Sequence, residues 1–230
     1  MPRNIFIAGA WPYVNGPLHL GHAAALLPGD LLMRYHRALG DEVLGVSGSD
    51  CHGTPILVAA EQENRPPEEV AAFYHREALR TLIEGLGLSY NLYSMTMGTF
   101  HHVSAQQLFQ QIHAGGYLVS RQEDQLYCEN CTRFLPDRYI EGTCPHCNAV
   151  RARGDQCDTC GHLLQPEELV QPRCRTCNSG PVWRDTTHLY FQLPAFETRL
   201  KDWVARAQGW RKMQSSKPEA SWNRVSATAP

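Results

Sequence analysis

The chain has 230 residues, 43% hydrophobic and 19% charged, which reads as one or two soluble globular domains. A formal net charge of −2 excludes a uniformly basic nucleic-acid binder, so any polyanion must meet a local basic face. No stretch approaches the roughly 20 apolar residues of a membrane span, and the short apolar run of "MPRNIFIAGAW" cannot form a signal-peptide core; a cytoplasmic protein with no membrane partner is expected.

In chain order, "NIFIAGA" (4–10) predicts a short buried strand ending at a turn. The loop "WPYVNGPLHLGH" (11–22) follows, then two stretches with helical spacing, "LGHAAALL" and "DLLMRYHRALG". Pro28 lies between them; it has no N–H and is expected to kink or break the helix, while Gly40 suits its C-terminal end. "EVLGVSG" (42–48) predicts a second strand and "SDCHGTPI" a loop. "PEEVAAFYHREALRTLIEGLG" predicts an amphipathic helix with acidic residues in its first turn, and a further helix covers about 99–114. This order implies a parallel sheet with crossover helices, in which ligands sit at the carboxyl ends of the strands. The polar loops 11–22 and 47–55 both fall there.

The texture changes after about residue 116. Residues 121–186 are rich in Cys, Arg, Pro and Gly, with little helical pattern. "HLYFQLPAF" (188–196) then predicts a strand and "FETRLKDWVARAQGW" a helix, while the final "SSKPEASWNRVSATAP" has no apolar period and reads as frayed.

Eight of the nine cysteines form four Cys-x-x-Cys pairs: Cys128/Cys131, Cys144/Cys147, Cys157/Cys160 and Cys174/Cys177. Each such turn puts two thiolates on one side of a tight loop, and two turns complete a tetrahedral zinc site. Four pairs in about fifty residues favour one or two zinc ions over a disulfide framework. Four sulfurs leave zinc no open position, so the role is structural, and a segment this poor in apolar residues needs the metal to fold. Sequential pairing (first with second, third with fourth) and nested pairing (second with third, first with fourth) satisfy the chemistry equally. With eight thiols available, His146 and His162 read as surface residues.

His19 and His22 lie three apart at the start of a helix and share a face. Gly21 allows close approach to the backbone, and a helix N-terminus favours anions, so two imidazoles there suit phosphate oxygens. "AWPYVNGPLHLGH", followed about thirty residues later by "VSGSDCHGTPI", closely resembles the methionyl-tRNA synthetases, which are class I aminoacyl-tRNA synthetases. His19-Leu20-Gly21-His22 matches their "HIGH" element with Leu for Ile, and "FLPDRYIEGTCPHC" resembles their zinc-bearing connective domain. The resemblance runs from about residue 4 to about 205.

It implies an α/β protein: the first half of a Rossmann-like class I synthetase nucleotide-binding fold with an inserted zinc-knuckle connective domain. Residues 1–115 would be the N-terminal half of the catalytic domain, 116–190 the insertion, and 191–230 a strand/helix return and tail. It implies ATP, with Mg2+, and methionine as substrates, and the tRNA acceptor end as partner. By this resemblance His19 and His22 are catalytic and bind ATP with Tyr13, Asn15, Gly16 and Gly21, while Ala10, Trp11, Tyr13 and Asp50 bind methionine. Trp11 stands where Leu is commonest, and Cys51 where Glu or Ala is expected, as a spectator or a point of oxidation. The resemblance prefers nested pairing: Cys144, Cys147, Cys157 and Cys160 as the inner site, Cys128, Cys131, Cys174 and Cys177 as the outer.

The family's Lys-Met-Ser-Lys-Ser loop and anticodon domain find no match in these 230 residues. "RKMQSSKP" (211–218) resembles the lysine loop only superficially, and the surroundings of Arg224 match a family arginine poorly. The expectation is a truncated methionine–tRNA ligase with impaired or no full activity alone and a complementing C-terminal chain as partner. A non-catalytic paralogue binding methionine, nucleotide or the tRNA end is the alternative. A small nucleotidyltransferase with His-x-Gly-His is the third reading, against which the zinc insert and "WPYVNG" argue.

Overall fold

The computed structural model describes residues 2–206, so the 211–218 stretch, Arg224 and the expected frayed tail lie outside the described residues. The chain divides into two compact units between Gln107 and Leu108. No helix among the described residues is long and apolar enough to cross a membrane.

The first unit is α/β. Strands β1 (Asn4–Ala8), β2 (Glu42–Ser49) and β3 (Leu92–Met95) form a parallel sheet in that order. Between β1 and β2 runs α1 (Leu20–Ala38). Between β2 and β3 run α2 (Thr54–Glu63), α3 (Pro67–Ala78) and a π-helical turn over Leu79–Gly85; α4 (Thr99–Ala114) follows β3.

Pro28 does not break α1, contrary to expectation. The buried stripe Leu26, Asp30 and Met33 continues past it on one face, so packing holds the helix through the lost hydrogen bond. Met33 fills the space that Gly45 leaves on β2. The buried Asp30 carboxylate accepts from Ser89 N and Oγ, both at 2.6 Å, and from Arg34 Nε at 2.7 Å. Burial pushes its pKa up, but those donors outweigh burial and hold it below the ordinary carboxylate value. Arg37 donates to Ser89 O at 3.0 Å and Asn91 Oδ1 at 2.8 Å, and Asn91 Oδ1 also accepts from Gly45 N at 2.8 Å. These contacts fasten α1 to β2 and to the approach of β3, which fixes the direction of the helix's N-terminus. The other face of the sheet carries Phe6, 66% exposed, beside its register partner Leu44, 52% exposed.

The second unit is built on a two-stranded ribbon, β4 (Leu118–Cys128) against β9 (Val182–Phe191), in unbroken antiparallel register from Leu118↔Phe191 to Tyr127↔Val182. β5 (Arg133–Phe134) adds to the far edge of β4. A second antiparallel sheet has the order β7 (Ala152–Arg153), β6 (Ile140–Thr143), β8 (Val170–Cys174). Few apolar side chains are buried here: Leu126, Leu135, Tyr139, Ile140, Leu164 and Leu169 lead, with four of the cysteines. A 3-10 turn at Leu193–Phe196 and α5 (Glu197–Arg206) follow β9.

Candidate functional site

The site starts where β1 and β2 release their loops. Gly9 N donates to Val46 O at 2.8 Å, and a Cβ on Gly9 would stand 2.7 Å from Tyr90 Oη and 3.0 Å from Ser47 Cβ, so a side chain there would have to displace Tyr90. Asp50 N donates to Pro12 O at 2.8 Å and Val14 N to Asp50 O at 3.1 Å, making Tyr13↔Asp50 a parallel bridge. The fully buried Val14 packs with Cys51 and Ile56 and anchors the first loop to the second. Trp11 lies over Gly48, where a Cβ would meet its Cζ3 at 2.5 Å, and its ring faces His101 at 6.1 Å. Tyr13, 45% exposed, stands beside the half-buried Asp50, whose Oδ1 accepts from His52 N at 3.2 Å. Ala10 and Asn15 are exposed and Gly16 half-buried, with open space where a Gly16 Cβ would lie.

His19 and His22 cap α1. His19 is the N-cap in extended conformation, and its Nδ1 accepts from Gly21 N at 3.1 Å. His22 Nδ1 accepts from His19 N at 3.1 Å, completing a capping box made of two imidazoles. A Cβ on Gly21 would sit 2.9 Å from the His19 ring and push it out of the capping position. The rings lie 3.9 Å apart, tilted by 31°. With both Nδ1 atoms accepting backbone N–H groups, each neutral ring carries its proton on Nε2. Two N–H donors therefore point away from the backbone at a helix N-terminus. Partial burial, and then repulsion from His19 whenever that ring is protonated, pull the pKa of His22 below its ordinary value and keep it neutral near pH 7.

Cys51 is 4% exposed and its thiol pKa is raised by burial, so it is a packing residue rather than a point of oxidation.

In the second unit the eight paired cysteines are all free and gather into two groups, Cys144/Cys147/Cys157/Cys160 and Cys128/Cys131/Cys174/Cys177. This is the nested arrangement. Within each group every Sγ lies within 4.8 Å of the others. Contacts include 3.6 Å (Cys147–Cys157) and 3.9 Å (Cys144–Cys160) in one group, and 3.4 Å (Cys128–Cys177) and 3.8 Å (Cys131–Cys174) in the other. Zinc bonds of about 2.3 Å would put tetrahedral sulfurs roughly 3.8 Å apart, so the donor sets fit a tetrathiolate ion.

Three knuckles repeat one backbone pattern. The N–H four residues on returns to the first cysteine's carbonyl (Asn148→Cys144, Gly161→Cys157, Asn178→Cys174). That cysteine's own N–H reaches the carbonyl five residues on, in Ala149, His162 and Ser179. The residue after every pair is left-handed: Thr132, Asn148, Gly161 and Asn178, with φ of 52°, 58°, 73° and 62°. Such turns aim backbone N–H groups at sulfur. The Cys157 thiol is drawn down to about 6, chiefly by the N–H of Cys160. Cys177 is drawn down to about 5, chiefly by the Ser179 hydroxyl. His146 and His162 belong to neither group; their rings stack on each other at 4.2 Å.

Residues 5–225 match the family model described as tRNA synthetases class I (M). The methionine–tRNA ligase of Bacillus mycoides is 49% identical over 211 residues, covering 90% of this chain and 38% of that protein. That of Thermomicrobium roseum is 49% identical over 212 residues, covering 92% and 36%. The chain thus spans little more than a third of the length of the curated relatives it matches. Among solved structures, Mycobacterium tuberculosis methionyl-tRNA synthetase in complex with methionyl-adenylate superposes with a TM-score of 0.67 at 17% identity, over 94% of this chain and 38% of that one. The ternary complex of Agrobacterium radiobacter K84 agnB2 LeuRS with tRNA and LeuAMS gives 0.66 at 18% identity, over 95% and 24%. At these identities the likeness is one of fold.

Proposed function

We propose, from the premise that this chain belongs to the class I (M) tRNA synthetases, that it supplies the histidine-loop side of an ATP-dependent methionine–tRNA ligase. The observation that carries this reading is the imidazole pair at the N-terminus of α1. Both rings present Nε2–H, and their loop is bridged through Tyr13 to Asp50.

In this reaction the methionine carboxylate attacks the α-phosphorus of ATP, pyrophosphate leaves, and the methionyl group passes to the tRNA 3′ end. No protein nucleophile is needed; catalysis is positioning and stabilisation of charge on phosphate. His19 and His22 donate to the ATP phosphates, at an end of the helix whose dipole favours anions. Asn15, Gly16 and Gly21 shape the loop beside them. Asp50 takes the substrate ammonium in a charge-assisted contact. Trp11, Tyr13 and Ala10 form an apolar wall suited to a thioether. Mg2+ accompanies ATP. The two cysteine groups would each hold a structural zinc ion, and with so small an apolar core those ions would supply much of the second unit's folding energy.

Isothermal titration calorimetry with a non-hydrolysable methionyl-adenylate analogue tests the reading. One equivalent should bind per chain, and Asp50→Asn should weaken it by about tenfold or more, the loss of one charge-assisted contact. No binding, or binding indifferent to Asp50, would contradict it.

A further inference from the structure

His52 takes no part in the chemistry above, yet its ring meets a second imidazole. We infer that His52, His102 and the carbonyl of Thr96 form a binding site for a borderline divalent transition-metal ion of the Zn2+ or Ni2+ class, separate from the eight cysteines. His52 Nε2 lies 3.4 Å from His102 Nε2 and 3.3 Å from Thr96 O. The ring centroids are 5.5 Å apart and tilted by 40°, so the rings converge through their nitrogens instead of stacking. A tetrahedral ion with bonds of about 2.0–2.1 Å sets its ligand atoms roughly 3.3–3.4 Å apart, which matches both separations.

Hydrogen bonding accounts for the cluster less well. One proton on His52 Nε2 would have to serve both the Thr96 oxygen and the His102 nitrogen, each beyond the ordinary distance of about 2.9–3.0 Å. Apolar packing does not force the approach either, since both histidines are exposed. The frame around them is fixed by backbone bonds. Thr96 N donates to Ser49 O at 3.0 Å, Cys51 N to Thr96 Oγ1 at 2.8 Å, and His102 N to Gly98 O at 3.1 Å. Exposure leaves the ion's remaining positions to water. Two neutral imidazoles and a carbonyl suit zinc or nickel better than the hard cations, which prefer all-oxygen sites.

The test does not depend on the ligase reading. The full chain, with both cysteine groups saturated with zinc, is titrated with Ni2+ in a calorimeter. One further equivalent should bind. His52→Gln and His102→Gln should each weaken it at least about tenfold, the loss typical even of an outer-shell partner, and the double variant should abolish it. Far-UV circular dichroism and zinc content, unchanged in His102→Gln on the exposed helix α4, separate loss of the site from loss of the fold. His146→Gln/His162→Gln and His19→Asn/His22→Gln should bind Ni2+ as the parent does. Absence of a further equivalent, its survival in the His52/His102 double variant, or its loss in either control pair would overturn the assignment.

Discussion

The double substitution His19→Asn/His22→Gln separates what the two histidines do for the helix from what they do for a ligand. Each imidazole spends its Nδ1 on a cap, accepting from Gly21 N and from His19 N at 3.1 Å. Asn is among the best N-cap residues, and Gln at the third helical position completes a capping box, so this pair keeps both acceptors and discards both Nε2–H groups. Replacing an N-cap acceptor by Ala costs about 1 kcal/mol, and losing the reciprocal bond about 0.5–1.5 kcal/mol. His19 is exposed, so the lower part of the range applies. His19→Ala/His22→Ala should therefore destabilise the first unit by about 1–2 kcal/mol in urea unfolding, and the Asn/Gln pair by under about 0.5 kcal/mol. Both pairs should lose affinity for the methionyl-adenylate analogue by about 10- to 100-fold per donor removed, since a hydrogen bond to a charged group is worth about 1.5–3 kcal/mol. If the Asn/Gln variant unfolds as easily as the Ala/Ala variant, the capping argument is wrong. If it binds the analogue as the parent does, the donors do not touch the ligand.

Three further outcomes are expected. The folded-state pKa of His22 lies below its unfolded value, so its contribution to stability is complete above about pH 6.5 and falls away as pH drops through the lower folded value. The unfolding free energy of the parent should therefore decline more steeply below pH 6.5 than that of His22→Gln; equal slopes would contradict this, and the buried neutral His75 contributes equally to both proteins. Elemental analysis should find two zinc ions per chain, falling by one in Cys157→Ser and by one in Cys177→Ser, with chelation melting the second unit; one ion in the parent would remove one of the two sites. Gly48→Ala should destabilise by about 1–3 kcal/mol, the cost of overpacking, because the new methyl meets Trp11 Cζ3 and the backbone Ser94 O at 2.5 Å; a neutral result in thermal unfolding would show that both Trp11 and the Ser94 backbone give way.

Some of this architecture is legible in the residues alone. β1, β2 and the helix over 99–114 follow from apolar runs and periodicity, and the parallel sheet from their order. β3 escapes because Leu92–Met95 is four residues long and carries no alternation to mark it. α2 hides behind Gly53-Thr54-Pro55, which looks like turn chemistry, although Pro in a first turn is a helix-start signal. Pro28 misleads in the opposite sense: propensity predicts a break, and the stripe Leu26, Asp30, Met33 overrides it. At the site, the histidine loop and the four Cys-x-x-Cys pairs stand out by spacing, whereas their nested grouping follows from the resemblance and the structure, not from the spacing. The imidazole capping box does not stand out, because Ser, Thr, Asp and Asn are the usual caps. Of the left-handed residues that close the knuckles, Gly161, Asn148 and Asn178 are types that tolerate that conformation, whereas Thr132 carries no such signal. The convergence of His52 with His102 depends on a strand-to-helix connection fifty residues away, which no local pattern encodes.

Long-range 1H–15N spectra of the histidine rings, recorded at pH 7.5 with and without the methionyl-adenylate analogue, distinguish rings that face the ligand from rings that only cap the helix. His22 should be neutral, both His19 and His22 should carry a proton on Nε2 in the free chain, and both Nε2 resonances should move on binding. Rings protonated on Nδ1, or Nε2 resonances that stay in place while the analogue binds, would contradict this assignment.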